Sequence, residues 1–413
     1  MARVHPFRAL RYNPARAPDL SRVIAPPYDV ISPAEQDRLY AASPHNVVRL
    51  TLAKPGPAES AADNQYTRSR AAFDAWRHEA VLRQDPKPAL YVVEQRFAAG
   101  GRAHVRLGFI GLLGLEEPIE RAVLRHETTL AAPKADRTRL LEALPANLEP
   151  IFCVYPDEGG AVQALVRTAA AREPAMSADW NGGAVRCWVA TDPELLRQVH
   201  ERLANVRVLI ADGHHRFEVA FANRQRYGAL MSFFVSMADP GLRVRAIHRV
   251  LSGPLRPELA AALKQLGAVA PVDSLEGLLA WLDEPSEAQG RFGWVLPEGL
   301  AKVSLSQDTI ARWLSAPEVP QALAGLDVTL LHRAALPRLG LPDSGVAYEA
   351  DPVLAANAVR RGEAAAAVLL RGIPLDQVYA LAGQGLALPP KSTYFYPKVP
   401  SGLAIHPLGE PAR

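Results

Sequence analysis

The chain has 413 residues, of which 49% are hydrophobic and 22% charged, and its 46 Lys and Arg against 43 Asp and Glu give a formal net charge of +3. A chain of this length and composition is typical of a globular protein with two or three structural units. The balanced charge excludes a nucleic-acid footprint over the whole surface, and two cysteines, Cys153 and Cys187, are too few for a disulfide framework.

No membrane or export signal is predicted. Residues 1–6 lack the apolar core of a signal peptide, and no apolar run reaches the roughly 20 residues of a membrane span. We therefore expect a cytoplasmic protein with no membrane partner, in which the two thiols have no chemical role.

Strand and helix patterns alternate through the first half of the chain. In chain order, the predicted elements are a strand-like segment at 4–12, a helix at 33–42, a strand at 47–52, a long helix with Tyr66, Phe73 and Trp76 near one face, a hairpin of strands at 90–97 and 104–113, a helix at 134–144, a strand at 150–155, and a helix that starts at Asp192 and Pro193.

The middle of the chain predicts a buried strand at 206–210, a helix that ends near Gly228, and two strands, at 230–237 and 243–251, that pair with each other. The second of these strands places His248 on its inner face as a neutral core histidine. Three arginines, Arg243, Arg245 and Arg249, fall on its opposite face, where we expect solvent.

Helix and strand patterns continue to the end of the chain, with a helix between Asp351 and Gly362, a strand at 364–370 and a helix at 374–382. We therefore predict an α/β fold with mixed sheets. The expected division is a nucleotide-binding region at 1–253, with insertions, and a C-terminal α/β region at 254–413.

The most informative motif is the run Asp212-Gly213-His214-His215-Arg216, between the buried strand and the helix that follows it. Unpaired backbone N–H groups and the positive end of the helix dipole gather at such a helix start, so a phosphate is favoured there. Glycine allows close approach of the backbone, and an arginine fork matches phosphate oxygens. The same pattern also fits a plain helix start with Asp212 as the N-cap, and both interpretations stay open.

The motif resembles that of archaeal free-serine kinases of the ParB/sulfiredoxin superfamily, in which this turn grips nucleotide phosphates. The proline-containing loop at 24–35, which includes Tyr28 and Asp29, is similar to an earlier box of the same superfamily. This resemblance implies a ParB/sulfiredoxin-like core that binds ATP or ADP.

Much more of the chain is similar to one family, and the protein is identified as a member of the domain of unknown function family numbered 1015. The segments that carry this resemblance lie at 6–10, 25–30, 43–46, 126–128, 134–137, 212–216 and 391–398.

The implied function is a nucleotide-dependent phosphotransferase that acts on a small hydroxyl metabolite, with free serine as one acceptor, and its nature as an enzyme is a hypothesis. Phosphoryl transfer needs a phosphate cradle, a hard cation and a base near the acceptor hydroxyl. We assign the cradle to Gly213, His214, Arg216 and Lys391. Asp212 is a candidate for magnesium or for the base, and the other candidate catalytic residues are Glu127 and His215.

Further candidate phosphate ligands are Lys134, Arg137 and Lys398. Zinc is not expected, because adjacent histidines at a helix start rarely converge on one ion.

The alternative function is a nucleotide-binding regulatory protein or a ParB-like DNA-associated protein. No DNA-binding helix-turn-helix or basic surface accompanies the motif. Sulfiredoxin chemistry is disfavoured because His214 stands where that chemistry needs a thiol. The acceptor, the nucleotide and the oligomeric state stay open.

Overall fold

A computed structural model describes residues 2–116, 118–127, 131–252, 259–285, 289–314, 320–341 and 345–409. The chain divides into two compact units, the first formed by Met1–Arg125, Thr129–Leu242 and Pro397–Arg413, the second by His126–Thr128 and Arg243–Tyr396. The predicted boundary at 253/254 lies outside the described residues. Strand Arg243–Arg245 is bonded to strand Tyr394–Tyr396, and both belong to the second unit.

The first unit is built on a nine-stranded sheet. Its strands, in spatial order, are Val123–Leu124, Val208–Asp212, Ile151–Tyr155, Ala229–Ser236, Arg102–Gly114, Leu90–Ala99, Gly183–Ala190 and Met176–Trp180, with Val4–His5 also paired to Arg102–Gly114. Two pairings are parallel, Val208–Asp212 with Val123–Leu124 and Ala229–Ser236 with Ile151–Tyr155, and the others are antiparallel. The predicted mixed α/β fold is therefore confirmed.

Short strand pairs and helices complete the first unit. The paired strands are Leu10–Tyr12 with Leu82–Gln84 and Ala146–Asn147 with His406–Pro407. The α-helices are Pro33–Ala42, Val48–Thr51, Gln65–His78, Ala131–Ala143, Ala161–Ala169, Pro193–Leu203, His214–Ala222 and Arg224–Tyr227.

Local sequence signals position several of these helices. Asp192 accepts hydrogen bonds from the backbone N–H groups of Glu194 and Leu195, and Pro193 occupies the first helical position, as predicted. In the helix that follows the motif, Phe217 and Ala220 are buried in the apolar core beside strand Val208–Asp212. Their burial fixes the face on which this helix packs, and therefore the direction of its first turn.

The second unit contains a six-stranded sheet. Its strands, in spatial order, are Gly267–Val272, Gly299–Leu305, Arg291–Leu296, Ala366–Leu369, His248–Leu251 and Val346–Glu349, and their pairings are antiparallel. The helices of this unit are Leu259–Leu266, Leu275–Asp283, Gln307–Leu314, Gln321–Ala324, Asp327–Leu330, the π-helix Leu331–Ala335, Leu336–Arg338, Pro352–Arg360 and Leu375–Gly383. None of the helices within the described ranges combines the length and apolarity that a membrane span requires.

The strand predicted at 47–52 is wrong, because residues Val48–Thr51 form a short helix. The apolar, β-branched sequence favours a strand by propensity alone. The buried side chain of Asn46 decides otherwise: its amide oxygen accepts from the N–H of Val48, and its Nδ2 donates to the carbonyls of Arg22 and Ile24. A tertiary contact therefore overrides the local preference.

The predicted hairpin between 230–237 and 243–251 is also wrong. Residues 243–251 form two short strands in the second unit, and strand Ala229–Ser236 lies in the first unit. One of the arginines expected in solvent, Arg249, is fully buried, and its Nε donates to Nε2 of His332 at 2.8 Å. The prediction for His248 is confirmed: it is 5% exposed, and its Nδ1 accepts from the N–H of Leu370 at 3.2 Å.

Acid is expected to destabilise the second unit through His248. Burial and the charge of Arg249 lower the pKa of His248 to about 4, whereas an exposed histidine in the unfolded chain has a pKa of about 6.5. The unfolded state therefore binds more protons between these values, and His248 costs up to about 3 kcal/mol as the pH falls from about 6.5 to 4. Urea unfolding of wild type and His248→Gln across this range measures the effect, and parallel pH curves for the two proteins would contradict it.

Candidate functional site

The motif turn is a left-handed glycine between a strand and a helix. Strand Val208–Asp212 ends, Gly213 adopts φ +93° and ψ 29°, and helix His214–Ala222 begins. A Cβ on Gly213 would lie 2.8 Å from Cγ2 of Ile151, so the turn requires glycine both for its φ and for space. The N-cap is Gly213 and not Asp212, so the interpretation of Asp212 as helix cap is wrong. Glycine has no side-chain acceptor. Gly213 therefore caps none of the first backbone N–H groups of the helix with a side chain.

Asp212 lies between two cations. One carboxylate oxygen accepts from Nη2 of Arg216 at 2.9 Å, and the other contacts Nζ of Lys398. The side chains of Asp212 and Lys398 are 13% exposed and that of Arg216 is 10% exposed. Burial alone would raise the pKa of Asp212, but the charges of Lys398 and Arg216 lower it to about 2. Asp212 is therefore ionised at neutral pH.

Glu149 is a second carboxyl group near Arg216. It is 5% exposed, and its Oε1 accepts from the N–H of Tyr28 at 3.0 Å and from Oγ of Ser401 at 2.9 Å. Burial raises the pKa of Glu149, against the opposing charges of Arg216 and Arg137. Burial alone would lower the pKa of Arg216, but Glu149 and Asp212 outweigh this effect and raise it. The guanidinium of Arg216 is consequently cationic. It is paired with Asp212, and its Nη1 donates to the carbonyl of Pro150 at 2.6 Å.

A small cavity of about 60 Å³ adjoins this cluster. Its charged lining consists of Arg137, Glu149 and Arg216, and most of its remaining wall is apolar. The guanidinium of Arg137 stacks 3.9 Å from the ring centre of Tyr28, and burial raises the pKa of that phenol to about 12.

The two histidines of the motif differ in exposure. His214 is 7% exposed, and its charge is one of the influences that lower the pKa of Asp212, whereas His215 is partly exposed. Within the described ranges, no group of three His, Cys, Asp or Glu side chains is placed to hold a metal ion. Both cysteines are buried, and burial raises the pKa of their thiols, so neither is activated as a nucleophile.

Glu127 and Lys391 belong to the second unit, whereas Asp212, Gly213, His214, His215 and Arg216 belong to the first. Within the second unit, Oε1 of Glu127 accepts from the N–H of Ser392 at 3.4 Å, and Nε2 of His126 lies 2.8 Å from Oγ1 of Thr393. Lys391 is exposed and has a left-handed φ of +59°. The structure therefore joins segments 126–127 and 391–393, which are distant in sequence. Thr128 lies outside the described residues.

Sequence reasoning missed Glu149 and did not identify Lys398 as a partner of the motif. The sequence named Lys398 only as one of several candidate phosphate ligands. Two of the other candidates are also placed by the structure: Lys134 pairs with Glu218 at 2.9 Å, and Arg137 lines the cavity. The sequence signal at Glu149 is weak, a single acid before the buried strand Ile151–Tyr155. Neither contact with the motif is local in sequence.

Gly213→Ala is expected to destabilise the protein by about 1–3 kcal/mol, because alanine combines the unfavourable left-handed φ with a clash against Ile151. Gly228→Ala is the matched control: Gly228 also has a positive φ, +67°, but a Cβ there meets nothing within 4 Å. The control should lose only the left-handed penalty, about 1 kcal/mol. Denaturant unfolding compares the two, and equal losses would contradict the close contact at Gly213.

Comparisons with known proteins come from sequence and structure. No curated protein matches the sequence. Solved structures similar to this chain include a free serine kinase in complex with AMP, with a TM-score of 0.35 and 14% identity over 72% of this chain and 90% of that chain. A conserved hypothetical protein from Pyrococcus furiosus has a TM-score of 0.36 and 13% identity, over 71% of this chain and 94% of that chain. SbnI from Staphylococcus aureus, truncated at its C-terminus, has a TM-score of 0.36 and 10% identity, over 72% of this chain and 87% of that chain.

Similarity at these TM-scores assigns neither a fold nor an activity to the chain. The family comparison is of a different kind, because a family model matches residues 4–329, which is most of the sequence. The chain therefore belongs to the family described as "Protein of unknown function (DUF1015)".

Proposed function

We propose that this protein is a nucleotide-dependent phosphotransferase that acts on a small hydroxyl metabolite, with free serine as the first acceptor to test. A ParB/sulfiredoxin-like core in the first unit is part of the proposal. The observation that carries it is the helix start at His214, which follows a left-handed glycine, has no side-chain cap from its N-cap residue, and stands beside the buried cation Arg216. Backbone N–H groups, the helix dipole and a guanidinium together favour a phosphate.

In this proposal the protein positions the phosphates and balances their charge. Gly213 and His214 supply backbone N–H groups, and Arg216 supplies the guanidinium. Phosphoryl transfer depends mainly on such positioning and charge stabilisation.

Magnesium is proposed to accompany the nucleotide, with Asp212 as its protein ligand. Asp212 is an ionised carboxylate, the ligand type through which Mg²⁺ usually binds beside phosphate oxygens and water. Its two oxygens are held by Arg216 and Lys398, so magnesium binding requires one of these oxygens to exchange its partner. Magnesium would offset the phosphate charge during transfer. With a pKa of about 2, Asp212 is better suited to this role than to that of general base.

The transfer step forms a bond between the acceptor hydroxyl oxygen and the terminal phosphorus. The bond from that phosphorus to the bridging oxygen breaks, and the shortened nucleotide leaves with its electron pair. His215 takes the hydroxyl proton, a role proposed from the chemistry of its imidazole.

Nucleotide binding is the first test. Wild type should bind ADP or ATP with Mg²⁺ in calorimetry, and Arg216→Lys should bind about 10-fold to 100-fold more weakly, because the bidentate fork is lost while the charge stays. Arg226→Lys, at an exposed arginine outside the cluster, is the control and should bind as wild type does. Absence of binding by wild type would refute nucleotide dependence.

Transfer is the second test. With ATP or ADP, Mg²⁺ and serine or another small alcohol, ³¹P NMR should detect a phosphorylated acceptor, and EDTA should stop its formation. His215→Gln should keep nucleotide affinity and lose most of the rate, since an amide accepts no proton there. His78→Gln, at an exposed histidine outside the motif, is the control. Nucleotide binding without transfer to any acceptor would favour a regulatory protein instead.

A further inference from the structure

The segment Pro397–Ser401 returns to the first unit at the end of the chain and is called the closing segment here. Its residues lie beyond residue 329, where the family match ends. At one end, Nζ of Lys398 contacts the carboxylate of Asp212. At the other, Oγ of Ser401 donates to Glu149 at 2.9 Å, and the N–H of Ser401 donates to the carbonyl of Ala25 at 2.8 Å. The closing segment therefore contacts both acids whose charges raise the pKa of Arg216.

Two buried side chains hold the backbone of the closing segment. Nη2 of Arg106 donates to the carbonyl of Pro397 at 2.6 Å, and Nε2 of Gln95 donates to the carbonyl of Lys398 at 3.0 Å. Arg106 also donates to the amide oxygen of Gln95, so the two side chains brace each other. Lys398 itself lies outside any helix or strand. Its position consequently depends on these side-chain bonds.

Burying Arg106 beneath the closing segment costs free energy. Arg106 is fully buried, and among the described residues its Nε and Nη1 have no hydrogen-bond partner. Burial lowers its pKa to about 9, against the opposing charge of Asp239, so it stays protonated at neutral pH. Its guanidinium stacks on the rings of Phe152, at 4.7 Å, and Phe233, at 5.5 Å. Two buried donors without partners cost free energy, so stability alone does not account for Arg106.

The same residues connect the buried arginine to the motif. Phe152, whose ring lies under Arg106, is the partner of Asp212 on the neighbouring strand, past a shift of register between Ile210 and Asp212. Arg106 therefore touches the closing segment on one side and the strand partner of Asp212 on the other. A shift of Arg106 would move Lys398 relative to Asp212.

We propose that Lys398 is a phosphate ligand of the motif, beside Arg216 and the helix start, and that Arg106 and Gln95 are positioning residues that act through it. The ligand is the terminal phosphate of a nucleoside diphosphate or triphosphate, so the inference rests on the proposed function. Lysine serves phosphate as a compact point charge and needs no fixed fork geometry. Asp212 keeps the ammonium beside the helix start.

The direct test measures ADP and pyrophosphate affinity by calorimetry at one fixed salt concentration. Lys398→Met should weaken both about 10-fold to 100-fold, because a charge-assisted contact to phosphate is lost. Lys398→Arg should recover most of the loss, since the positive charge returns. Lys87→Met removes an exposed lysine of the same unit and should bind as wild type does.

A double-mutant cycle tests the positioning role. Arg106→Met should weaken ADP binding in the presence of Lys398 but change it less than about 2-fold in the Lys398→Met background, since coupled residues are not additive. Gln95→Met provides a second route to the same result if Arg106→Met does not fold. A purely structural role would instead give the same factor in both backgrounds, which would overturn the positioning role.

The remaining outcomes separate this inference from the proposed function. Binding of pyrophosphate but not of ADP by wild type would refute the nucleotide and retain the phosphate site, with pyrophosphate then serving as the probe of the variants. Equal ADP affinity for wild type and Lys398→Met would overturn the role of Lys398 alone. Binding of neither probe would overturn both.

Discussion

The largely buried pairing of Asp212 with Arg216 and Lys398 is the interaction on which the rest of the candidate site depends. It joins three parts of the first unit: the end of a central strand, the first turn of the following helix and the closing segment. Breaking a buried ion pair by removing one partner leaves a charge without compensation, which costs far more than the loss of an exposed pair. The three parts therefore keep a fixed arrangement around the helix start.

Departures from ordinary packing gather around this pairing. Gly213 has a left-handed backbone conformation against Ile151, Glu149 is a buried acid, and Arg106 is a buried guanidinium with unsatisfied donors. Buried donors without partners and a left-handed backbone each cost free energy. Such costs cluster at functional sites in proteins, which supports the proposed site at the motif.

Elements with strong local signals were predictable from the sequence. Helix Pro33–Ala42, the start of helix Pro193–Leu203 at its Asp192 cap, and the hairpin of Leu90–Ala99 with Arg102–Gly114 follow from caps, turns and periodicity. Prediction failed where distant residues decide. Asn46 turns an apolar run into a helix through bonds to the segment before it, and strand Arg243–Arg245 pairs with residues some 150 positions later.

The sequence by itself determined the membership in the family, the α/β class and the strand, glycine and helix of the motif, because these depend on residue order within a few positions. Only the tertiary structure decided which distant side chains meet there. Lys398 pairs with Asp212, and the charge of Glu149 acts on Arg216, although these residues are far apart in sequence. Glu127 lies in the other unit, where it accepts from Ser392. The spacing of side chains along a strand or helix fixes the face on which they lie but not the partner they contact.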